Sequence, residues 1–211
     1  MKRALALLAV AFFVALAGTC AAEPEGYRRI ESVAASVNGE VIFLSEVSRE
    51  ICFYRCGAVP GQAGQVISLA RARELLVADM LVIQEQKKLG LGEVDNAAIA
   101  AATAEPISRM KRCADPCAAA VTEADVRELV LRRILVRNFL EQRIAVFIEI
   151  NDEDVRREIE QRTRSGDAPD GQSAETVRKR LYEEKAAAEI RNWFARTTSK
   201  SRVVLSPLPE P

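Results

Sequence analysis

The sequence predicts a mainly α-helical domain completed by a small β element. Three observations predict it. After residue 65 most of the chain falls into long segments whose apolar residues recur at helical spacing. Near the start, Ala35-Ser36-Val37 and Glu40-Val41-Ile42-Phe43 flank Asn38-Gly39. Asn-Gly favours a type I′ turn, because both central residues need φ > 0, so a tight hairpin is expected. The one comparable β run, Arg202-Val203-Val204-Leu205, lies at the far end. A two-stranded hairpin is marginal alone, so the C-terminal strand is expected to return and pair with it.

The first 22 residues read as a secretory signal. Lys2 and Arg3 form a basic start, Ala4 to Ala17 an apolar stretch, and small residues follow up to Ala22. The stretch is short for a membrane span, and no later segment is long and apolar enough for one. An uncleaved anchor and a lipoprotein modified at Cys20 are the alternatives, the second fitting poorly because Thr19 stands where Gly or Ala is usual. Residues 23–211 are then expected to form a single domain, long enough for a real core. The chain carries 30 basic and 30 acidic residues, and losing Lys2 and Arg3 leaves a net charge of −2. Nucleic-acid binding would want a basic excess. There is no histidine, which removes the commonest general base and the commonest metal ligand.

After the hairpin, Ser45 reads as a helix N-cap, with Val47, Ile51 and Tyr54 at helical spacing. A Gly- and Pro-rich loop over 58–65 precedes the longest apolar helix, Val66 to Leu89, which Gly90 ends. Asp95 caps an Ala-rich helix that Pro106 is expected to interrupt. Asp115-Pro116 restarts the chain as cap and first helical residue. Thr122 and Asp125 resemble a capping box and open a helix to about Ile144. Its Arg127, Arg132, Arg133 and Arg137 read as a solvated face, since acids accompany them. Val146 to Ile150 is β-prone and reads as extended. Asn151 caps a helix to about Arg162, with Val155 and Ile159 facing inward. After the linker-like Ser165 to Ser173, the last helix runs from Glu175 to about Thr197.

Cys52 and Cys56 are four apart on the first helix, and Cys113 and Cys117 are four apart around Asp115-Pro116. With Cys20 assigned to the signal, an even four remain in an exported protein, and structural disulfides are the leading reading. A four-thiolate zinc site and a redox-active pair are the alternatives, but neither pair has the usual Cys-x-x-Cys spacing. Two cysteines one turn apart on a helix do not easily reach disulfide geometry, so bridges between the pairs are expected. Antiparallel elements would give Cys52–Cys117 and Cys56–Cys113; the parallel alternative stays open.

These residues resemble the N-terminal chaperone domain of the SurA family of periplasmic proteins, from about Ser32 to Leu205. Ser36-Val37-Asn38-Gly39-Glu40-Val41-Ile42 looks like the family's opening hairpin, and Ser45-Glu46-Val47 like its helix start. Glu74 to Leu91 is similar to the long core helix with its glycine stop. Ile150 to Val155 resembles the segment before the inserted isomerase domain, and Val177 to Val204 the helix and strand that close the domain after it. Where relatives insert parvulin-type isomerase domains, this chain has about residues 164–174, too few for a domain.

What the resemblance implies is a SurA N-terminal-like helical domain without the catalytic insert. It would be a non-enzymatic, ATP-independent periplasmic chaperone for unfolded secreted or outer-membrane polypeptides. It would use no cofactor, metal, nucleotide or nucleic acid. The alternatives are a prolyl isomerase with residual activity and a structural subunit of an envelope complex. Aromatic residues make up 5% of the chain, so no aromatic stripe marks a peptide groove. Phe43, Phe53, Tyr54, Phe139, Phe147, Trp193 and Phe194 read as core, and no peptide-binding residue is nominated.

Overall fold

The computed structural model describes residues 31–59, 61–62, 64–91, 94–143, 145–165 and 173–209. The signal segment over 1–22, Cys20 within it, and residues 166–172 of the linker lie outside the described residues. The chain runs β1 (Val33–Val37), β2 (Glu40–Phe43), α1 (Leu44–Arg55), α2 (Leu69–Lys88), α3 (Asn96–Arg112), α4 (Glu123–Arg143), α5 (Asp152–Ser165), α6 (Ala174–Ser199) and β3 (Val203–Leu205). Two 3₁₀ turns, Pro116–Ala120 and Ala145–Phe147, flank α4.

Asn38 (φ 53°) and Gly39 (φ 93°) make the hairpin turn, the left-handed pair that Asn-Gly tolerates best. The three strands lie in the order β2-β1-β3, both pairings antiparallel, so the two ends of the domain meet. Pairing satisfies the backbone groups that the hairpin alone would leave open on one side of β1. The Asn38 amide N–H donates to the Arg202 carbonyl at 2.8 Å, and the Arg202 N–H donates to Asn38 Oδ1 at 2.8 Å. Ala35, Val37 and Ile42 turn inward, where they pack with Val47 of α1 and Ala72 and Leu76 of α2.

A second cluster joins Cys52, Phe53 and Tyr54 of α1 to Met110 of α3 and Val126 and Leu129 of α4. A third sets Val82 of α2 and Phe139 of α4 against Ile190, Trp193 and Phe194 of α6. The long apolar helix α2 is thus covered from several sides, as an apolar surface without one clear stripe requires.

Several local expectations are corrected. The first helix begins at Leu44 with Phe43 as its cap, and Glu46 reaches back to accept from the Phe43 N–H at 2.6 Å. Ser45 therefore lies inside the first turn. Helix α2 starts at Leu69, because Ser68 caps it by accepting from the Arg71 N–H at 3.1 Å; Val66 precedes it and is exposed. Helix α3 continues through Pro106. Thr103, Pro106 and Met110 form its buried stripe, so packing of that face outweighs the hydrogen bond that proline cannot make. Val146 to Ile150 does not form a strand: its start is a 3₁₀ turn, and the described sheet offers it no partner. In α5, Val155 is buried but Ile159 is 38% exposed.

The arginine face of α4 is corrected too. Arg127 and Arg137 are exposed, whereas Arg132 and Arg133 turn toward α1 and α2. They meet Glu50, whose side chain is fully buried, and Asp79. Arg132 bonds Glu50 at 2.9 Å and lies in an ion pair with Asp79 at 3.3 Å; Arg133 bonds Asp79 at 2.8 Å and also pairs with Glu50. Burying two carboxylates costs several kcal/mol each unless cations follow them in, and here two do. Burial nevertheless pushes the Asp79 carboxyl up to about 6, against the opposing pull of Arg133 and Arg132.

Candidate functional site

Two adjoining clefts run along α6, and Trp193 and Arg196 border both. The first, about 690 Å³, opens between the hairpin tip (Asn38, Glu40), the end of α2 (Gln84, Lys87) and the end of α6 (Arg196, Lys200). Its floor is fixed. Asn38 Nδ2 donates to Gln84 Oε1 at 2.7 Å, and Gln84 Nε2 donates to the Val37 carbonyl at 2.9 Å. Gln84 is thus a buried polar side chain with both ends of its amide satisfied, so this wall stands rigid.

The second cleft, about 510 Å³, lies between the 3₁₀ turn and α6, with Phe147, Ile148, Lys185 and Ala188 on its walls. Phe147 is 81% exposed and Val146 beside it 63%. Trp193 separates the two clefts and is held by its neighbours: its ring lies 5.2 Å from that of Phe139, tilted, and 4.9 Å from Phe194, edge-on. These are favoured aromatic geometries and keep the indole in place.

A second apolar surface is the outer face of the sheet. Val41, Phe43 and Val204 are each between 39% and 49% exposed. Strands β2 and β3 are the two edges of the sheet, so each presents unpaired backbone groups on one side. Clefts bounded by a fixed aromatic, with exposed apolar side chains and open strand edges nearby, can hold an extended polypeptide by side-chain burial and main-chain hydrogen bonds.

The four cysteines come together at the end of α1. The structure joins Cys52 to Cys117 (Sγ–Sγ 2.04 Å) and Cys56 to Cys113 (1.99 Å). They tie the end of α1 to the α3–α4 connection. Asp115 caps the 3₁₀ turn through the Cys117 N–H at 2.9 Å, and Arg55 of α1 meets Asp115 at 3.6 Å.

Of the aromatic residues read as core, Phe53, Tyr54 and Phe139 are buried, and Trp193 and Phe194 half-buried. Phe43 and Phe147 are corrected: both stand at the surface. Phe147 sits in a turn whose helical neighbours end before it can be covered. Its signal in the sequence was position, between a helix that ends and a cap that begins another. Residue type alone pointed inward.

No protein-family model matches the chain, and no curated protein matches it. Among solved structures the chain is similar to one described with the virulence factor PEB4 and the periplasmic protein Cj1289, two structurally related SurA-like chaperones of Campylobacter jejuni. The fold itself is a helical domain closed by an N-terminal hairpin and a C-terminal strand. The match covers 83% of this chain and 100% of that one, with a TM-score of 0.47 and 12% identity.

Proposed function

We propose that the protein is a periplasmic chaperone that holds unfolded secreted or outer-membrane polypeptides without ATP and without isomerase turnover. The observation that carries the reading is the pair of clefts around Trp193, with Phe147 standing 81% exposed at the second of them. Val146, 63% exposed, adjoins it, and contiguous exposed apolar surface of this kind marks interaction sites. The ordered sequence resemblance, with residues 164–174 in place of an isomerase insert, supports the same reading. The N-terminal signal segment and the four cysteines support export to an oxidising compartment. The domain is residues 23–211 after signal removal, with Cys52, Cys56, Cys113 and Cys117 kept as structural disulfides.

Binding draws on burial of apolar client surface and edge-strand hydrogen bonds, so individual affinity is weak and clients are many. The test uses a denatured outer-membrane β-barrel protein diluted into buffer. Near-stoichiometric amounts of this protein are expected to suppress its aggregation without nucleotide, and to leave cis–trans exchange of a proline peptide at its spontaneous rate. Phe147→Ser is expected to weaken client binding about 5- to 10-fold, with little change in melting temperature because the side chain is already in water. Isomerase turnover would place the protein among enzymes. Retrieval of one folded envelope protein in fixed stoichiometry would make it a subunit of a complex.

A further inference from the structure

We infer that the four cysteines form a tetrathiolate site for a soft divalent cation, Zn²⁺ by chemistry, whenever the two disulfides are opened. Two disulfides need not be neighbours to clip two segments together. Here they are stacked: Cys52 and Cys56 sit one helical turn apart with their sulfurs at 4.0 Å. The sulfurs of Cys52, Cys56 and Cys117 all lie within 4.8 Å of one another, and that of Cys113 is bonded to Cys56. The Cys113 sulfur stands outside the spacing of that trio but is held at Cys56, so rotation of its side chain has to bring it in as the fourth ligand.

A tetrahedral zinc with Zn–S bonds of about 2.3 Å holds its sulfurs about 3.8 Å apart. The Cys52 and Cys56 sulfurs already stand near that spacing. Each bonded pair has to open from about 2 Å to about 3.8 Å, a change that rotation about the Cα–Cβ bonds can supply. The segments stay anchored meanwhile, because Phe53, Met110 and Val126 pack around the cluster independently of the sulfurs.

The chemistry balances with an added reductant, for which a phosphine serves. Each disulfide accepts two electrons and two protons while one phosphine is oxidised to its oxide with an oxygen from water. Two such steps give four thiols. One Zn²⁺ then displaces four protons and leaves a site of net charge −2. Two cations flank the cluster, each with an acidic partner of its own: Arg55 with Asp115, and Arg109 with Glu105, its Nη1 also donating to the Gly57 carbonyl at 3.0 Å beside Cys56. The oxidised chain has no thiolate to offer, so disulfide and metal are mutually exclusive states of one cluster.

The test uses the purified protein, reduced with phosphine and freed of it under nitrogen, then titrated with Cd²⁺ and with Zn²⁺. The near-ultraviolet thiolate-to-cadmium band is expected to saturate at one ion per chain, with all four cysteines protected from alkylation. Zn²⁺ is expected to restore at least half of the melting temperature lost on reduction, which separates a site in the folded state from loose binding by unfolded cysteines. The oxidised protein is expected to give no band. Cys113→Ser/Cys117→Ser, which removes half of the ligands, is expected to bind Cd²⁺ at least 100-fold more weakly. A stoichiometry below one, equal affinity in that variant, or a melting temperature that metal leaves unchanged overturns the inference. The oxidised protein keeps the comparison decisive if the variant does not fold.

Discussion

Helix α1 buries five of its 12 residues, whereas α6, with 26, fully buries only Val177. The core of sheet, α1, α2 and α4 is held by apolar burial, two disulfides and an enclosed ion cluster. The arm of α5 and the first half of α6 is held by ions at the surface. Glu158 accepts from Arg162 at 2.7 Å and Arg180 at 2.8 Å, Lys185 meets Asp154 at 3.3 Å, and Arg178 pairs with Asp152. Partly exposed pairs contribute roughly 0–1 kcal/mol each. One wall of the clefts is therefore rigid, and the other belongs to a helix that leaves the core at Ile190 and continues into a lightly held arm. The function proposed above calls for such an asymmetry: a fixed aromatic to bind against and an opposing surface that can adjust.

Reducing the protein should produce the largest effect and should fall on the core. The outer bond spans 65 residues and contributes about 4 kcal/mol by constraining the unfolded chain. The inner bond is nested within it and closes only the few residues between the two pairs, adding about 3 kcal/mol or less. Reduction in the presence of a chelator is expected to lower the melting temperature by roughly 10–20 °C, as scanning calorimetry would record. A shift below about 3 °C would mean that apolar packing alone fixes the core.

Next in size is the buried ion cluster. Arg133→Met leaves the fully buried Glu50 and the Asp79 carboxylate with Arg132 alone, and is expected to cost about 3–5 kcal/mol in urea denaturation. Replacing Glu50, Asp79, Arg132 and Arg133 together by apolar residues of similar volume should cost far less. A small effect from the single change would show that water reaches the cluster.

The cluster also bounds what the sequence could reveal. The hairpin, the closing strand and the helix order were legible because period and turn chemistry are local signals. Arg132 and Arg133 were not, since arginine on an amphipathic helix normally faces water, and only Glu50 and Asp79, 82 and 53 positions away from Arg132, turn them inward. Phe147 failed for the opposite reason: a large aromatic normally faces the core, and only the path of the chain after α4 strands it outside. The clefts need three distant segments around Trp193 and leave no periodic trace.

A smaller and opposite-signed effect should appear with pH. Asp79 is raised from 3.8 to about 6 in the folded protein. The folded state then holds its proton more tightly than the unfolded one, so this group adds stability as pH falls from about 6 toward 4 and withdraws it as pH rises. Asp125 and Asp154 are lowered, so each withdraws stability as pH falls toward and below its ordinary value of 3.8. Asp79→Asn removes the first contribution only. The stability difference between wild type and variant should move in favour of wild type by at most about 3 kcal/mol between pH 7 and pH 4. A difference that is flat across that range would mean that the arginines hold Asp79 ionised throughout.

The smallest expected effect sharpens the contrast most. Glu158 is the shared acceptor of Arg162 and Arg180, its side chain 22% exposed, at the join of α5 and α6. Glu158→Ala should change global stability by about 1 kcal/mol or less, since neither Val155 nor Val177 loses its burial. Local opening should respond more. Amides in α5 and the first half of α6 are expected to exchange several-fold faster, while those of α1 and α2 keep their rates, because a segment with few buried contacts opens without the rest. Moderate salt should reproduce part of the change in the wild type by screening the same pairs, and should leave the core amides alone. If Glu158→Ala instead accelerates exchange everywhere and lowers the melting temperature as reduction does, arm and core unfold as one unit. The adjustable wall would then have to be sought in the turn at Ala145–Phe147.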